Sequence, residues 1–277
     1  MALRGIPRVI LIALLLGGYA SLYAAEAEDE KPASAAEEPA ARPSYFLLPI
    51  EVDSDSGASN GDALMARLIL ANSFALGDSW RLMNIAIIML ADAPGGRPGS
   101  PGNPDSIPSP QVFGLGDFTD ALMLGRPGGW WGLGLIFGIP TATDDALGSG
   151  KWSAGPALRL SRRSGPWLLS LLAGNLKSFA GDRNRGEVHQ LLVRGLVRRT
   201  FNERWFFIYA PIITANWNAS SGQRWLLPVG GGLGRHFLAR RPFNVTLQYY
   251  SNVVRPDGAP RSVIRFGLTI PFRIPDS

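Results

Sequence analysis

The stretch GGWWGLGLIFGIPTATDDALGSGKWSAGPALRL, residues 128 to 160, admits few folds. From Trp131 the bulky apolar residues fall on every second position, Trp131, Leu133, Leu135, Phe137 and Ile139, with Gly132, Gly134 and Gly138 between them. Period two is the signature of a strand. After a polar loop holding Asp144, Asp145, Gly148 and Gly150, the alternation resumes: Trp152, Ala154, Pro156, Leu158 and Leu160 oppose Ser153, Gly155, Ala157 and Arg159. A soluble sandwich crowds charge on its outer face. Here the second face is small and sparingly charged, which suits the interior of a closed barrel whose bulky face meets lipid.

Residues 45 to 272 divide into about twelve such segments, predicting an all-β, antiparallel transmembrane β-barrel. They are Tyr45 to Val52, Ala66 to Leu76, Ser79 to Leu90, Phe113 to Leu124, Trp130 to Pro140, Trp152 to Ser161, Pro166 to Leu176, Val188 to Arg199, Trp205 to Trp217, Arg224 to Phe237, Phe243 to Val254 and Arg261 to Phe272. The connections alternate between short (77–78, 125–129, 162–165, 200–204, 238–242) and mostly longer (53–65, 91–112, 141–151, 177–187, 218–223, 255–260). Short periplasmic turns and long outer loops are the habit of outer-membrane barrels, and an even strand count leaves both termini in the periplasm. Loop 91–112 is rich in Pro and Gly; it can stand outward as a mobile loop or fold inward to constrict the lumen, and the first reading is favoured.

All eight tryptophans lie within two residues of an expected strand end, as interface-seeking indoles do. Trp80, Trp130, Trp131, Trp167 and Trp205 are assigned to the periplasmic rim; Trp152, Trp217 and Trp225 are assigned to the outer rim. Strand parity then lines the lumen with Arg159, Gln190, Arg194, Arg198, Gln248, Tyr250, Asn252 and Arg265. The spacing of Arg194 and Arg198 puts both on one inward face, where cations can favour anionic solutes. The favoured reading is that such arginines pair with inward carboxylates or occupy a wet rim, and Asp117 and Asp120, on opposite faces of the fourth strand, are candidates for one such partner. The inward Gly230, Gly232 and Gly234 leave either a channel or room for close backbone approach.

Residues 1–27 read as a Sec signal peptide: Arg4 and Arg8 precede the apolar run 9–16, and small residues follow. Residues 28–44 read as a disordered, acidic Ala/Pro-rich linker, and 273–277 as a short tail. Residues 45–277 hold 23 basic and 16 acidic residues, a net +7, so the acidic lead-in can act as an electrostatic plug. The chain has no cysteine, which excludes disulfides, thiolate zinc sites and thiol nucleophiles. No cofactor or metal motif is present, and GGGLGR lacks the Lys-Ser/Thr of a phosphate loop. The sequence pI of 9.9 reflects dispersed charge, with no nucleic-acid motif. The two histidines, His189 and His236, have no sequence neighbours that make a catalytic triad, so an enzyme is not expected.

The motifs GLGD (114–117), WGLGLIFGIPTAT (131–143), LGSGKWSAGP (147–156), SFAGD (178–182), TANW (214–217), WLLPVGGGLGR (225–235) and YYSNVVRP (249–256) recur in one order. In these the chain resembles the outer-membrane transporter family grouped under the phenol meta-cleavage pathway, whose bacterial members are often mislabelled neuromedin U. The resemblance implies a Gram-negative outer-membrane barrel and passage or uptake of a small, hydrophobic or aromatic solute. Expected partners are that solute, outer-membrane lipids with lipopolysaccharide, and the barrel assembly machinery. A structural or adhesion barrel is the alternative, and an outer-membrane lipid hydrolase a more distant one.

Overall fold

Strands with one bulky and one small face gain most by curling until the first and last pair, because closure leaves no edge with unmet N–H and C=O groups. The computed structural model describes residues 45–100, 108–238 and 242–273. The expected signal peptide, the acidic linker and the tail beyond residue 273 lie outside these residues. The strands are β1 (Tyr45–Ser56), β2 (Ala63–Leu76), β3 (Trp80–Pro94), β4 (Gln111–Leu115), β5 (Phe118–Gly125), β6 (Trp131–Ile139), β7 (Lys151–Ser164), β8 (Trp167–Gly181), β9 (His189–Thr200), β10 (Trp205–Tyr209), β11 (Ile212–Asn216), β12 (Trp225–Phe237), β13 (Phe243–Val254) and β14 (Ser262–Arg273). Both β4 and β5 pair with β3, and both β10 and β11 lie between β9 and β12. Each of these pairs is therefore one interrupted wall strand.

The result is a closed, antiparallel barrel of twelve wall strands. Closure runs through β1 and β14, in register from Tyr45↔Arg273 to Ser56↔Ser262. The outward residues Leu122, Leu124, Leu133, Leu135, Leu247, Tyr249, Ile264 and Phe266 are 39 to 61% exposed. So broad an apolar surface is out of place in water and matches the hydrocarbon band of a bilayer. Inside, the side from β3 to β8 is packed with Met83, Ala121, Met123, Ile136, Ala157, Leu176 and Val188, joined by Ile85, Leu172 and Leu192. The facing side, described below, is polar and charged.

Several strands run longer than the sequence expectation, β3 to Pro94 and β8 to Gly181 among them, and two differences shape the interior. Residues 53–56 read as loop because Asp and Ser favour turns, yet β1 continues through them, with Asp53 and Asp55 buried and Ser54 and Ser56 exposed. The loop after β3 also turns into the barrel instead of standing out. Thr214 Oγ1 donates to the Gly99 carbonyl at 3.2 Å and Gln190 Nε2 to the Ser100 carbonyl at 3.0 Å. Arg97 donates to the Gly61 carbonyl at 2.8 Å. Gly96 and Gly99, at φ 70° and 78°, allow the tight inward turn that a side chain would strain.

The wall is not uniformly laddered. The β10–β12 pairing ends at Ile208↔Gly232, and the β11–β12 pairing resumes only at Thr214↔Leu226. Between them lie Pro211 on one strand and Pro228, beside a register shift at Leu227/Pro228, on the other. Neither proline has an N–H to give the ladder, and the bulge displaces what remains. In place of backbone bonds, the Tyr209 hydroxyl donates to the Pro228 carbonyl at 3.1 Å.

Candidate functional site

The charged interior is built on β1, where Glu51, Asp53 and Asp55 alternate onto the inner face and are all buried. Asp53 is held from both neighbouring strands. It accepts from Arg67 Nη1 of β2 at 2.6 Å, and from Arg265 Nε and Nη2 of β14 at 2.7 and 2.8 Å. Glu51 pairs with Arg194 of β9, which lies on the far side of the barrel, and Asp55 pairs with Arg97 of the inserted loop at 3.2 Å. Glu51 Oε2 and Asp55 Oδ1 have no hydrogen-bond partner among the described residues. Ion pairs removed from water hold together only when their geometry is good and their remaining protons are used. Arg265 meets this condition, since its Nη1 also donates to the Ala210 carbonyl at 2.7 Å.

That last contact joins the ion cluster to the break between β10 and β11. Ala210, freed from the ladder, gives its N–H to the Tyr250 hydroxyl at 2.8 Å and its carbonyl to Arg265. Tyr250 in turn donates to Gln248 Oε1 at 2.6 Å and lies under the Arg265 guanidinium, 5.4 Å from its ring centroid. Tyr250 is 1% exposed. A cavity of about 90 Å³ remains between this cluster and the inserted loop, bounded by Asp53, Asp55, Arg67, Arg97, Tyr250 and Arg265 among others.

Of the residues read as lumen-lining, Arg194, Gln248, Tyr250 and Arg265 enter this network, and Gln190 binds the inserted loop. Asn252 is buried and donates to the Pro260 carbonyl at 2.8 Å. Arg159 is half-buried with no ion pair among the described residues, and Arg198 lies over the Phe206 ring at 5.0 Å. The expected acid partners are different residues. Asp120 faces outward on β5 and accepts from Asn84 Nδ2 at 2.5 Å, while Asp117 accepts from Ser149 Oγ at 2.6 Å in the outer loops. Sequence reasoning missed the true partners, Glu51, Asp53 and Asp55, although three acids at alternate positions are a signal for one face of a strand.

Trp80, Trp131, Trp167 and Trp205 open β3, β6, β8 and β10 at the short-turn end, with Trp130 just before β6. Trp152, Trp217 and Trp225 lie at the long-loop end. There, Trp217 Nε1 donates to Asn175 Oδ1 at 2.7 Å and packs edge-on against Trp225, 5.7 Å between ring centroids. The space over Gly234 is filled rather than open, because a side chain there would collide with the Phe206 ring. His236 bonds Asn244, and His189 lies beside Trp217. Neither histidine bonds a serine among the described residues.

The family-like motifs meet in an outer-loop cage. Thr141 and Thr143 accept from the Phe118 and Leu115 amides, each at 2.9 Å, bridging the gap between β4 and β5. Asp117 of GLGD accepts the Ser149 amide of LGSGK at 2.7 Å. Arg185 donates to the Asp145 carbonyl at 2.9 Å and also to the Gly148 carbonyl. Lys151 Nζ donates to Glu187 at 2.8 Å, and Ser178 donates to the same carboxylate. These two donors hold the Glu187 carboxyl below its ordinary value. Much of the motif pattern therefore specifies how the outer loops are folded.

Fold and exterior together define a β-barrel of the outer-membrane type. Among solved structures, the chain is similar to the COG4313 outer membrane channel from Pseudomonas putida F1, at 12% identity over 88% of this chain and 100% of that one, with a TM-score of 0.54. CdiB from Acinetobacter baumannii aligns at 10% identity over 83% of this chain and 60% of that one, with a TM-score of 0.38. Outer membrane phospholipase A from Escherichia coli aligns at 12% identity over 82% and 92%, with a TM-score of 0.42. No protein-family model matches this chain, and no curated protein does.

Proposed function

We propose that the protein is an outer-membrane channel for the passive passage of small apolar or amphiphilic solutes. The observation that carries this reading is the unladdered stretch of wall, residues 209–213 against 227–231. A barrel wall is normally sealed by backbone hydrogen bonds. Here the strands are joined across that stretch by a tyrosine hydroxyl, and such a seam can part at far lower cost than a ladder. The axial route, by contrast, is narrowed by an apolar core, an ion cluster and an inserted loop. A hydrated ion gains little from such a path. A solute already dissolved in the membrane gains a side entrance.

The test uses the absence of native cysteine. Tyr209→Cys with Pro228→Cys, joined by a bifunctional thiol reagent, staples the seam. Uptake of an aromatic hydrocarbon into proteoliposomes is expected to fall on stapling, with ion conductance in planar bilayers unchanged. Equal uptake by stapled and free barrels removes the side entrance from the mechanism, and a barrel impermeable to every solute tried removes passage altogether.

A further inference from the structure

We propose that Arg159, Arg163 and Arg198 form a binding station for the carboxylate of a small anion with an apolar body. This deepens the passage reading by naming a solute class. Among the inward arginines Arg81 donates to Ser73 Oγ at 2.9 Å, and the others divide into two sets. Arg67 and Arg265 share Asp53, Arg97 has Asp55, and Arg194 has Glu51. Arg159, Arg163 and Arg198 form no salt bridge among the described residues. The register places these three around β8: Arg159↔Leu172↔Arg194 is one row, Ser161↔Ser170↔Leu196 is the next on that face, and Arg163↔Leu168↔Arg198 is the one after it toward the short turns. Rows two strands wide put the β7 and β9 backbones about 10 Å apart, a span that long arginine side chains close. Leu168 and Leu172 lie between them on the inner face.

Arg198 has the most restricted surroundings. Its guanidinium lies over the Phe206 ring at 5.0 Å, and its Nε is buried without a hydrogen-bond partner. Phe206 is 2% exposed, packed on Gly234 and 4.6 Å from the His236 ring, so the stack is fixed from below. A guanidinium so held presents its remaining N–H groups in a fixed fork, the geometry that takes a carboxylate through two parallel bonds. Arg163 is exposed at the short-turn end, while Arg159 and Arg198 are part-buried; like charges gathered there repel one another, and an anion between them relieves that repulsion. The leucines and Phe206 give the apolar body of the ligand a dry surface. An inorganic anion uses only half of this lining.

Benzoate is the probe, with acetate as the carboxylate lacking an apolar body and benzylammonium as the aromatic cation. Equilibrium dialysis of the barrel in lipid nanodiscs, with empty nanodiscs as blank, is expected to show saturable benzoate retention and little of either comparator. Arg159→Gln with Arg198→Gln is expected to weaken retention at least about tenfold, the loss of one or two charge-assisted bonds. The Lys versions of both residues are expected to keep part of it. Heat-modifiable gel migration identifies variants that have not folded, and a failed Gln pair is replaced by Arg163→Gln with Arg198→Lys. Retention equal to the blank, equal retention of benzylammonium, or folded Gln variants that bind as tightly as the parent each overturn the proposal. Binding is read without transport, so a barrel that retains benzoate but passes nothing keeps this site and loses the passage reading.

Discussion

At the scale of single residues, Asp53 has the most at stake, because it balances Arg67 and Arg265 with all three groups buried. Asp53→Asn keeps the shape and leaves two buried cations without their anion. Removing one partner of such a cluster costs about 3–5 kcal/mol, so the folded fraction in a urea series is expected to collapse at clearly lower denaturant. An unchanged midpoint means the arginines find water instead. Parity alone placed Arg265 on the inner face. Its partner was illegible because Asp53 is 212 positions away in the chain, and Asp-Ser-Asp-Ser reads as turn composition. Glu187, outside the spanning strands, gives a pH test. Its carboxyl is held below the ordinary 4.5 by Lys151 and Ser178, so the tie is fully present above that value and is lost as pH falls through the lowered one. Proteolysis in the 182–188 loop is expected to be slow at neutral pH and faster in acid, and Glu187→Gln is expected to remove that pH dependence.

At the scale of elements, period-two alternation marked all twelve wall strands, since in a barrel each strand sees lipid on one side and protein on the other. The interruptions were less legible. Pro211 is hidden within the segment Trp205 to Trp217, because its apolar neighbours keep the alternation that the missing N–H breaks. Another departure lies on the lipid side, where Asn72, Asn84 and Asp120 make a hydrogen-bonded row across β2, β3 and β5. Asn84 is four residues from Trp80, and Asp120 five from Gly125. With a rise of about 3.3 Å per residue and a tilt near 40°, they lie roughly 10–13 Å into a hydrocarbon band about 25 Å tall. Polar groups at that depth cost stability. Asn84→Leu with Asp120→Leu is expected to fold and to raise the urea midpoint; a lowered midpoint instead makes the bridge a net fastener of the wall.

At the scale of the whole molecule, the barrel has two unlike halves, an apolar core from β3 to β8 and an ion cluster facing it, with residues 95–100 inserted against the cluster. Composition could not show this insertion, because a Pro/Gly-rich loop is equally suited to solvent, and the anchors are supplied by strands far away in sequence. Only Arg97 carried a signal, as the one charged side chain between Asp92 and Asp105. Its pairing with Asp55 gives the insertion a charge that can be removed without touching the wall. Arg97→Ala leaves Asp55 buried without its cation, and the loop then keeps neutral hydrogen bonds such as those from Thr214, Gln190 and Asn60. Each such neutral bond contributes only about 1 kcal/mol. The loop is therefore expected to leave the interior for a measurable fraction of time, giving single-channel recordings with brief, larger conductance steps absent from the parent. Asp55→Asn is expected to do the same by removing the other partner. Adding a cysteine pair that ties residue 100 to residue 190 is expected to abolish those steps, because it restores the insertion through a bond that does not depend on charge. If the steps persist in the tied barrel, ions pass beside the loop, and the ion cluster itself is the narrow point of the channel.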